Sequence, residues 1–302
     1  MRYNDYSIIE NNIKRIRKTN EICLVIKNDA YGFKIEEIVP LAVKNNVNFF
    51  AVNNLAEALE VRKYSDGLIL LIENNRCVSY KNLPDNILPN ASSIDDITYY
   101  ENNQIPYAVE LDDGMNRFGL KSLEVISDGL KYIRHIYVHF HMNRKENYDW
   151  ITILKTYKKS LGISISFGGS LIYGYTNECL RLGRIVYSDS ISFYGNVINI
   201  KEIDSFESVG YDECYKATSK QKIAILDVGY FNGLNPDFKG YVYCNGKYYR
   251  VVGKLCMNQT FVLIDDLVNI GDKMEFLGSH IRSDIFLNSN KSSEYCCFLL
   301  LK

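Results

Sequence analysis

The sequence predicts an α/β fold, a TIM-like (β/α)8 barrel over residues 1–199 followed by a mostly-β domain over 200–302. Three observations carry this. From residue 6 to about 195, short apolar runs alternate with amphipathic stretches, the pattern of parallel strands joined by helices. After about 200 the helical spacers stop, and strands follow one another through Gly and Asn turns. Lys27, Arg117, His139, Ser170 and Arg181 fall at or just past strand ends, or within the last strand, which is the rim where barrel sites collect.

In order, Ile8 to Thr19 reads as a helix and Ile22 to Ile26 as a buried strand ending at Lys27. Ile35 to Asn45 is helical, Asn48 to Val52 a strand, Leu55 to Tyr64 a helix and Leu68 to Ile72 a third strand. Ile87-Leu88 is a short fourth. Tyr107 to Leu111, Ile136 to Phe140, Ile163 to Ser166 and Ile185 to Tyr187 are expected as strands five to eight. In the second domain, Cys244-Asn245-Gly246-Lys247 signals a hairpin with Asn-Gly at its centre.

Composition excludes several classes. At 302 residues and 47% apolar, the chain can bury a large core. A net charge of −1 gives no basic footprint for nucleic acid or an anionic membrane. No run reaches transmembrane length and the N-terminus lacks a signal peptide's apolar core, so a cytoplasmic protein is expected. Eight cysteines lack zinc-finger spacing, and Cys296-Cys297 are adjacent, so reduced thiols and no metal site are expected.

Residues 22–33, ICLVIKNDAYGF, carry the chemistry. A lysine at the mouth of a buried strand is costly to desolvate, and burial lowers its pKa toward a nucleophilic amine, as a Schiff-base lysine needs. The plainer reading of Lys27 alone is a side chain snorkelling from a strand end.

The hexapeptide Lys27-Asn28-Asp29-Ala30-Tyr31-Gly32 resembles the cofactor-lysine segment of alanine racemases, pyridoxal-phosphate enzymes built as a barrel plus a β domain. The agreement continues in family order through 113–119 (DGMNRFG), His139-Phe140, Arg181-Leu182-Gly183, Val209-Gly210-Tyr211, Gly229-Tyr230 and 252–259 (VGKLCMNQ). The resemblance implies that Lys27 holds pyridoxal 5'-phosphate and acts as a base on one face of the substrate α-carbon. Tyr230, from the partner subunit of a homodimer, is then the base on the opposite face. A phenol is a poor base near its ordinary pKa of ~10, so a neighbour must draw its proton away. His139 and Arg181 match the family's network for this. Arg181 is implied to face the pyridine nitrogen, and Arg117 the cofactor phenolic oxygen and the substrate carboxylate. Tyr31, Ser170 and the backbone at Gly169 and Gly183 are implied to hold the phosphate, and the Met257 amide the substrate carboxylate. Taken singly, each has a bland counterpart: Arg117, His139 and Arg181 as structural residues, Tyr230 as one of 24 tyrosines.

Four departures from the family pattern carry expectations. Aligning Asp112-Asp113-Gly114-Met115 with the family stretch puts Glu110 where many members have a carbamylated lysine, so Glu110 is expected to supply that anion directly. Phe231-Asn232-Gly233 follows Tyr230 where an aspartate is usual, and Asn258 replaces another aspartate. Both changes remove a negative charge near the entrance that the resemblance implies is shared across the dimer, which leaves room for a substrate preference different from alanine. The chain stops at residues 294–302, resembling the helix before the family's last segment and lacking its terminal tyrosine, so weaker phosphate retention and a smaller β domain are expected. The leading expectation is an L/D-alanine racemase. The alternatives are a racemase for serine or another small amino acid, and a catalytically degenerate cofactor-binding paralogue that keeps the aldehyde linkage without turnover.

Overall fold

The computed structural model describes residues 1–73, 79–123, 126, 129–142, 146–292 and 301. Cys77, Cys296, Cys297 and nearly all of 294–302 lie outside them. The chain forms two units, residues 9–187 and residues 1–8 with 188–302. The change of texture near residue 200 is displaced from this division because the first long strand of the second unit, Ile191–Ile203, runs 13 residues before any turn reveals it.

In the barrel unit every strand pairing is parallel. Ile22–Val25, Phe49–Val52 and Leu68–Leu71 lie side by side, and Leu68–Leu71 pairs with Ile87–Leu88. Asn90–Ala91 pairs with Tyr107–Leu111, followed by Ile133–His139, Ser164–Gly168 and Leu180–Leu182, which returns to Ile22–Val25. The break between Leu88 and Asn90 is Pro89. Proline has no N–H to give a ladder, yet its carbonyl accepts from the Ala108 amide at 2.9 Å, so residues 87–91 act as one interrupted strand that closes the barrel. Counted that way, the nine paired segments of the described residues make eight strands in a ring. The strand interiors are fully buried at Leu24, Phe50, Leu70, Val109, Ile136 and Phe167.

One expected strand is wrong. Residues 184–187 form a short helix, Arg184–Tyr187, and the eighth strand is Leu180–Leu182. Three consecutive apolar residues do not distinguish strand from helix. The helix serves the neighbouring site: the Tyr187 hydroxyl donates to the Val25 carbonyl at 3.0 Å, and its ring lies 5.1 Å from that of Tyr31.

The second unit is antiparallel throughout its main sheet. Arg2–Asn4 borders Ile191–Ile203, and then come Gln221–Leu226, Thr260–Ile264, Lys247–Val252, Tyr241–Cys244 and Lys273–Leu277. Lys273–Leu277 pairs back with Ile191–Ile203, so this sheet also closes on itself. The expected hairpin is present. Cys244 opposes Lys247, and Asn245 and Gly246 both take positive φ, 48° and 84°, as a two-residue turn of the primed type requires. No helix among the described residues is long and apolar enough to cross a membrane.

Candidate active site

Lys27 opens an unusual turn. Asn28, Asp29, Ala30 and Tyr31 have φ of 53°, 53°, 52° and 58°, a left-handed turn continued by Gly32 at 78°. The sequence suggests only a loop here. Left-handed backbone costs a residue with a Cβ roughly 1–2 kcal/mol, less for Asn and Asp, so the turn needs outside support. Glu57 provides much of it: Oε1 accepts from the Asn28 amide and Oε2 from the Asn53 amide, both at 2.7 Å. The Asp29 carboxylate accepts from the Ile35 amide at 2.8 Å. Asn28 is exposed, so its substitutions report backbone strain alone. Asn28→Val is expected to destabilise the protein by about 1–2 kcal/mol in urea unfolding, and Asn28→Gly to be near neutral.

The lysine makes no hydrogen bond or ion pair with a described residue. Burial lowers its pKa, followed by the charges of Arg117 and Arg181, against a smaller opposing pull from Glu57. Arg117 Nη2 lies 3.5 Å from Glu110 Oε1. Glu110 is buried, and its Oε2 accepts from Asn90 Nδ2 at 2.9 Å and the Tyr137 hydroxyl at 3.1 Å. Arg181 sits in the Leu180–Leu182 strand with its guanidinium 4.7 Å from the Tyr137 ring centroid.

His139 is held neutral, with its pKa lowered to about 3 by burial and then by Arg181, Arg117, Lys27 and His141. His135, buried between the Ser164 and Ser166 hydroxyls at 2.6 and 2.8 Å, is likewise lowered to about 3 by burial and Arg181. Unfolding returns both to the ordinary value near 6.5, so the unfolded chain binds their protons first as pH falls. The stability they contribute is therefore full above pH ~6.5 and declines toward pH 3 by roughly 1.4 kcal/mol per pH unit for each histidine. Urea midpoints are expected to fall between pH 7 and 5, with a shallower fall in His139→Gln.

Three buried polar atoms in this cluster have no hydrogen-bond partner among the described residues: His139 Nδ1, Arg181 Nε and Arg181 Nη2. Gly168 makes room for them, since a Cβ there would lie 2.5 Å from Arg181 Nη2 and 2.8 Å from His139 Nδ1. Gly183 does the same for Tyr31, whose hydroxyl would lie 2.5 Å from an added Cβ. Gly169 has φ of 115°, and Ser170 Oγ accepts from the Ile185 amide at 3.3 Å. Lys27, Arg117, His139 and Arg181 thus act on one another electrostatically, and Tyr31, Gly183 and Ser170 belong to the same unit. No group of three or more metal-ligating side chains is placed to hold an ion among the described residues.

Tyr230 and Met257 belong to the second unit. Tyr230 opens a short turn whose amides bind residues 256–257: Tyr230 N–H to the Cys256 carbonyl at 3.2 Å and Phe231 N–H to the Met257 carbonyl at 2.9 Å. A Cβ at Gly229 would lie 2.2 Å from the Cys256 carbonyl oxygen, so this docking requires glycine. Asn232 caps the turn, its Oδ1 accepting from the Gly229 amide at 3.1 Å. Tyr230 is 37% exposed, Phe231 57%, Met257 51% and Tyr211 56%. Tyr211 hydrogen-bonds the Cys256 thiol, and its pKa is raised by Cys256 and then by Tyr230. These side chains form an open aromatic face rather than part of the unit's core.

Two site-adjacent residues escape the sequence reading: Asp113, quoted only as part of a motif, and His141. The signal was the alternation His135-Tyr137-His139-His141, polar at every second position of a strand in an otherwise apolar setting.

Residues 5–143 match the family model described as alanine racemase, N-terminal domain, and residues 190–300 match that of the alanine racemase C-terminal domain. That pairing of a barrel with a closed β unit is the framework of a racemase, an isomerase. The alanine racemase of Borreliella burgdorferi is 25% identical, covering 95% of this chain and 91% of the relative. Alanine racemase 1 of Clostridium acetobutylicum is 27% identical, covering 88% and 82%. Among solved structures, alanine racemase from Bartonella henselae with covalently bound pyridoxal phosphate matches with a TM-score of 0.89 at 21% identity, covering 100% of this chain and 97% of that one. A histidine racemase from Leuconostoc mesenteroides matches at 0.81 and 19%, covering 100% and 95%. At such identities the structural likeness establishes the fold, and the two family models establish more: the chain belongs to the alanine racemase family.

Proposed function

We propose that this protein is a pyridoxal-phosphate-dependent amino-acid racemase, acting as a homodimer on a small amino acid, alanine first, with Lys27 and the Tyr230 of the partner copy as its two bases. The observation that carries the reading is the barrel cluster: a lysine of lowered pKa among two arginines and a neutral histidine, with two buried Arg181 donors left without partners among the described residues. Such donors suit a planar, anionic cofactor. Pyridoxal phosphate, when bound, supplies an aldehyde for the lysine and a conjugated ring that accepts negative charge from the substrate α-carbon.

The chain's own residues do the rest. Arg181 would face the pyridine nitrogen and, as a guanidinium that keeps its proton, would leave the ring a weaker electron sink. Arg117 would address the phenolic oxygen and the substrate carboxylate with its planar fork, and Met257 would add a backbone amide. Tyr31, Ser170 and the amides at Gly169 and Gly183 would hold the phosphate. Lys27 Nζ takes or returns the α-proton on one face, and the Tyr230 hydroxyl does so on the other. Racemisation needs both, because a single base returns the proton to the face it came from. The exposure of Tyr230 supports donation to a second copy.

Glu110 takes the part of a built-in anion for Arg117, with its contact at 3.5 Å. Glu110→Gln keeps the shape and the Asn90 and Tyr137 hydrogen-bonding sites while removing the charge, and is expected to raise KM about tenfold. The direct test of the activity is circular dichroism at one wavelength after adding L-alanine, then L-serine, to the cofactor-loaded protein. Steady loss of optical activity supports the reading, and a constant signal with both amino acids overturns it.

A further inference from the structure

The strand Ile133–His139 ends in a column of inward polar side chains. His135 bonds the Ser164 and Ser166 hydroxyls, Tyr137 bonds Glu110, and His139 abuts Gly168 and Arg181. Phe140 faces the other way, its ring stacked on Phe167 at 6.0 Å, and its amide continues the ladder to the Gly168 carbonyl at 3.0 Å. Two residues on from His139, His141 sits in the bend that follows the strand, at the carboxyl-end rim. His141 is also among the charges that act on His139, with Lys27, Arg117 and Arg181.

Its ring is fixed from behind. Nδ1 lies 2.9 Å from both carboxylate oxygens of Asp113, and the His141 amide donates to Asp113 Oδ2 at 3.1 Å. The Asp113 side chain is 1% exposed, and that of His141 25%. An ionised carboxylate only accepts, so Nδ1 carries the hydrogen and a neutral His141 turns the lone pair of Nε2 outward. No described residue bonds Nε2. The ring therefore holds a fixed acceptor on the side away from Asp113.

We propose that the Asp113–His141 pair is a specificity element, in which His141 Nε2 accepts a hydrogen bond from a side-chain hydroxyl of the substrate amino acid, so that serine is accepted alongside alanine. This rests on the racemase reading above and deepens it. Such a bond adds binding for an amino acid that carries a hydroxyl and none for one that lacks it, and the gain is modest because His141 is partly exposed. The effect expected for one such bond is about tenfold.

The test compares wild type with His141→Ala and His141→Gln as cofactor-loaded proteins, reading kcat/KM for L-serine and L-alanine by circular dichroism. Equilibrium binding of each amino acid by calorimetry is the second readout. His141→Ala is expected to lower kcat/KM and affinity for serine about tenfold while leaving alanine within about twofold. His141→Gln, which keeps a hydrogen-bonding head, recovers part of the loss for serine. If the pair only ties the 113 loop to the strand end, both amino acids lose equally in both variants, and the proposal is overturned. If wild type racemises neither, the racemase reading fails, and the calorimetric serine-to-alanine ratio in wild type and His141→Ala still decides the role of His141.

Discussion

Replacing Lys27 by alanine is expected to abolish the visible absorbance that pyridoxal phosphate acquires on the wild-type protein and to lower racemisation by at least about 10,000-fold. Lys27 is assigned two duties, covalent attachment and proton movement on one face, and its loss removes both. Burial and the neighbouring Arg117 and Arg181 favour its neutral amine, the form that attacks an aldehyde. Lys27→Arg is expected to fail equally, since a guanidinium supplies no neutral amine at accessible pH. Stability is a useful control. Lys27 has no hydrogen bond or ion pair with a described residue, so the alanine variant is expected to unfold at or slightly above the wild-type urea midpoint. Retained absorbance in Lys27→Ala refutes the cofactor assignment.

Tyr230→Phe is expected to lower racemisation by about 100- to 10,000-fold while the cofactor absorbance persists. One oxygen is removed and the ring stays, so the turn held by the Cys256 and Met257 carbonyls remains intact. The consequence is directional. Lys27 still exchanges the α-hydrogen of the enantiomer whose hydrogen faces it, so exchange with solvent deuterium continues for one enantiomer and stops for the other. Inversion is lost for both. Undiminished inversion in Tyr230→Phe removes the phenol from the mechanism.

Much of the frame was legible because its cause is local. The apolar runs around Leu24, Phe50 and Leu70 are too short and too branched for helices, and the Asn-Gly pair at 245–246 requires positive φ. The misplacement of strand eight has a physical origin: Leu180-Arg181-Leu182 puts a cation in a buried strand, which a hydropathy pattern disfavours and only the site justifies. The left-handed turn after Lys27 is opaque for a related reason. Ala30 and Tyr31 carry no signal for positive φ, and the support comes from Glu57, distant in sequence. His141 is opaque in the sequence because alternating polar residues ordinarily mark a solvent face, whereas in a closed barrel they line the interior.

The claim that one amine and one phenol meet from different chains is tested most directly by mixing two dead variants. Lys27→Ala and Tyr230→Phe, denatured together in equal amounts and refolded, form mixed dimers in half of all pairings. In each mixed dimer, a site built across the two-fold axis has one intact pair, Lys27 from one chain and Tyr230 from the other. Recovery of about a quarter of wild-type activity is predicted for random pairing. A mixture as inactive as its two components means that Tyr230 serves its own chain or no site at all, and contradicts the account.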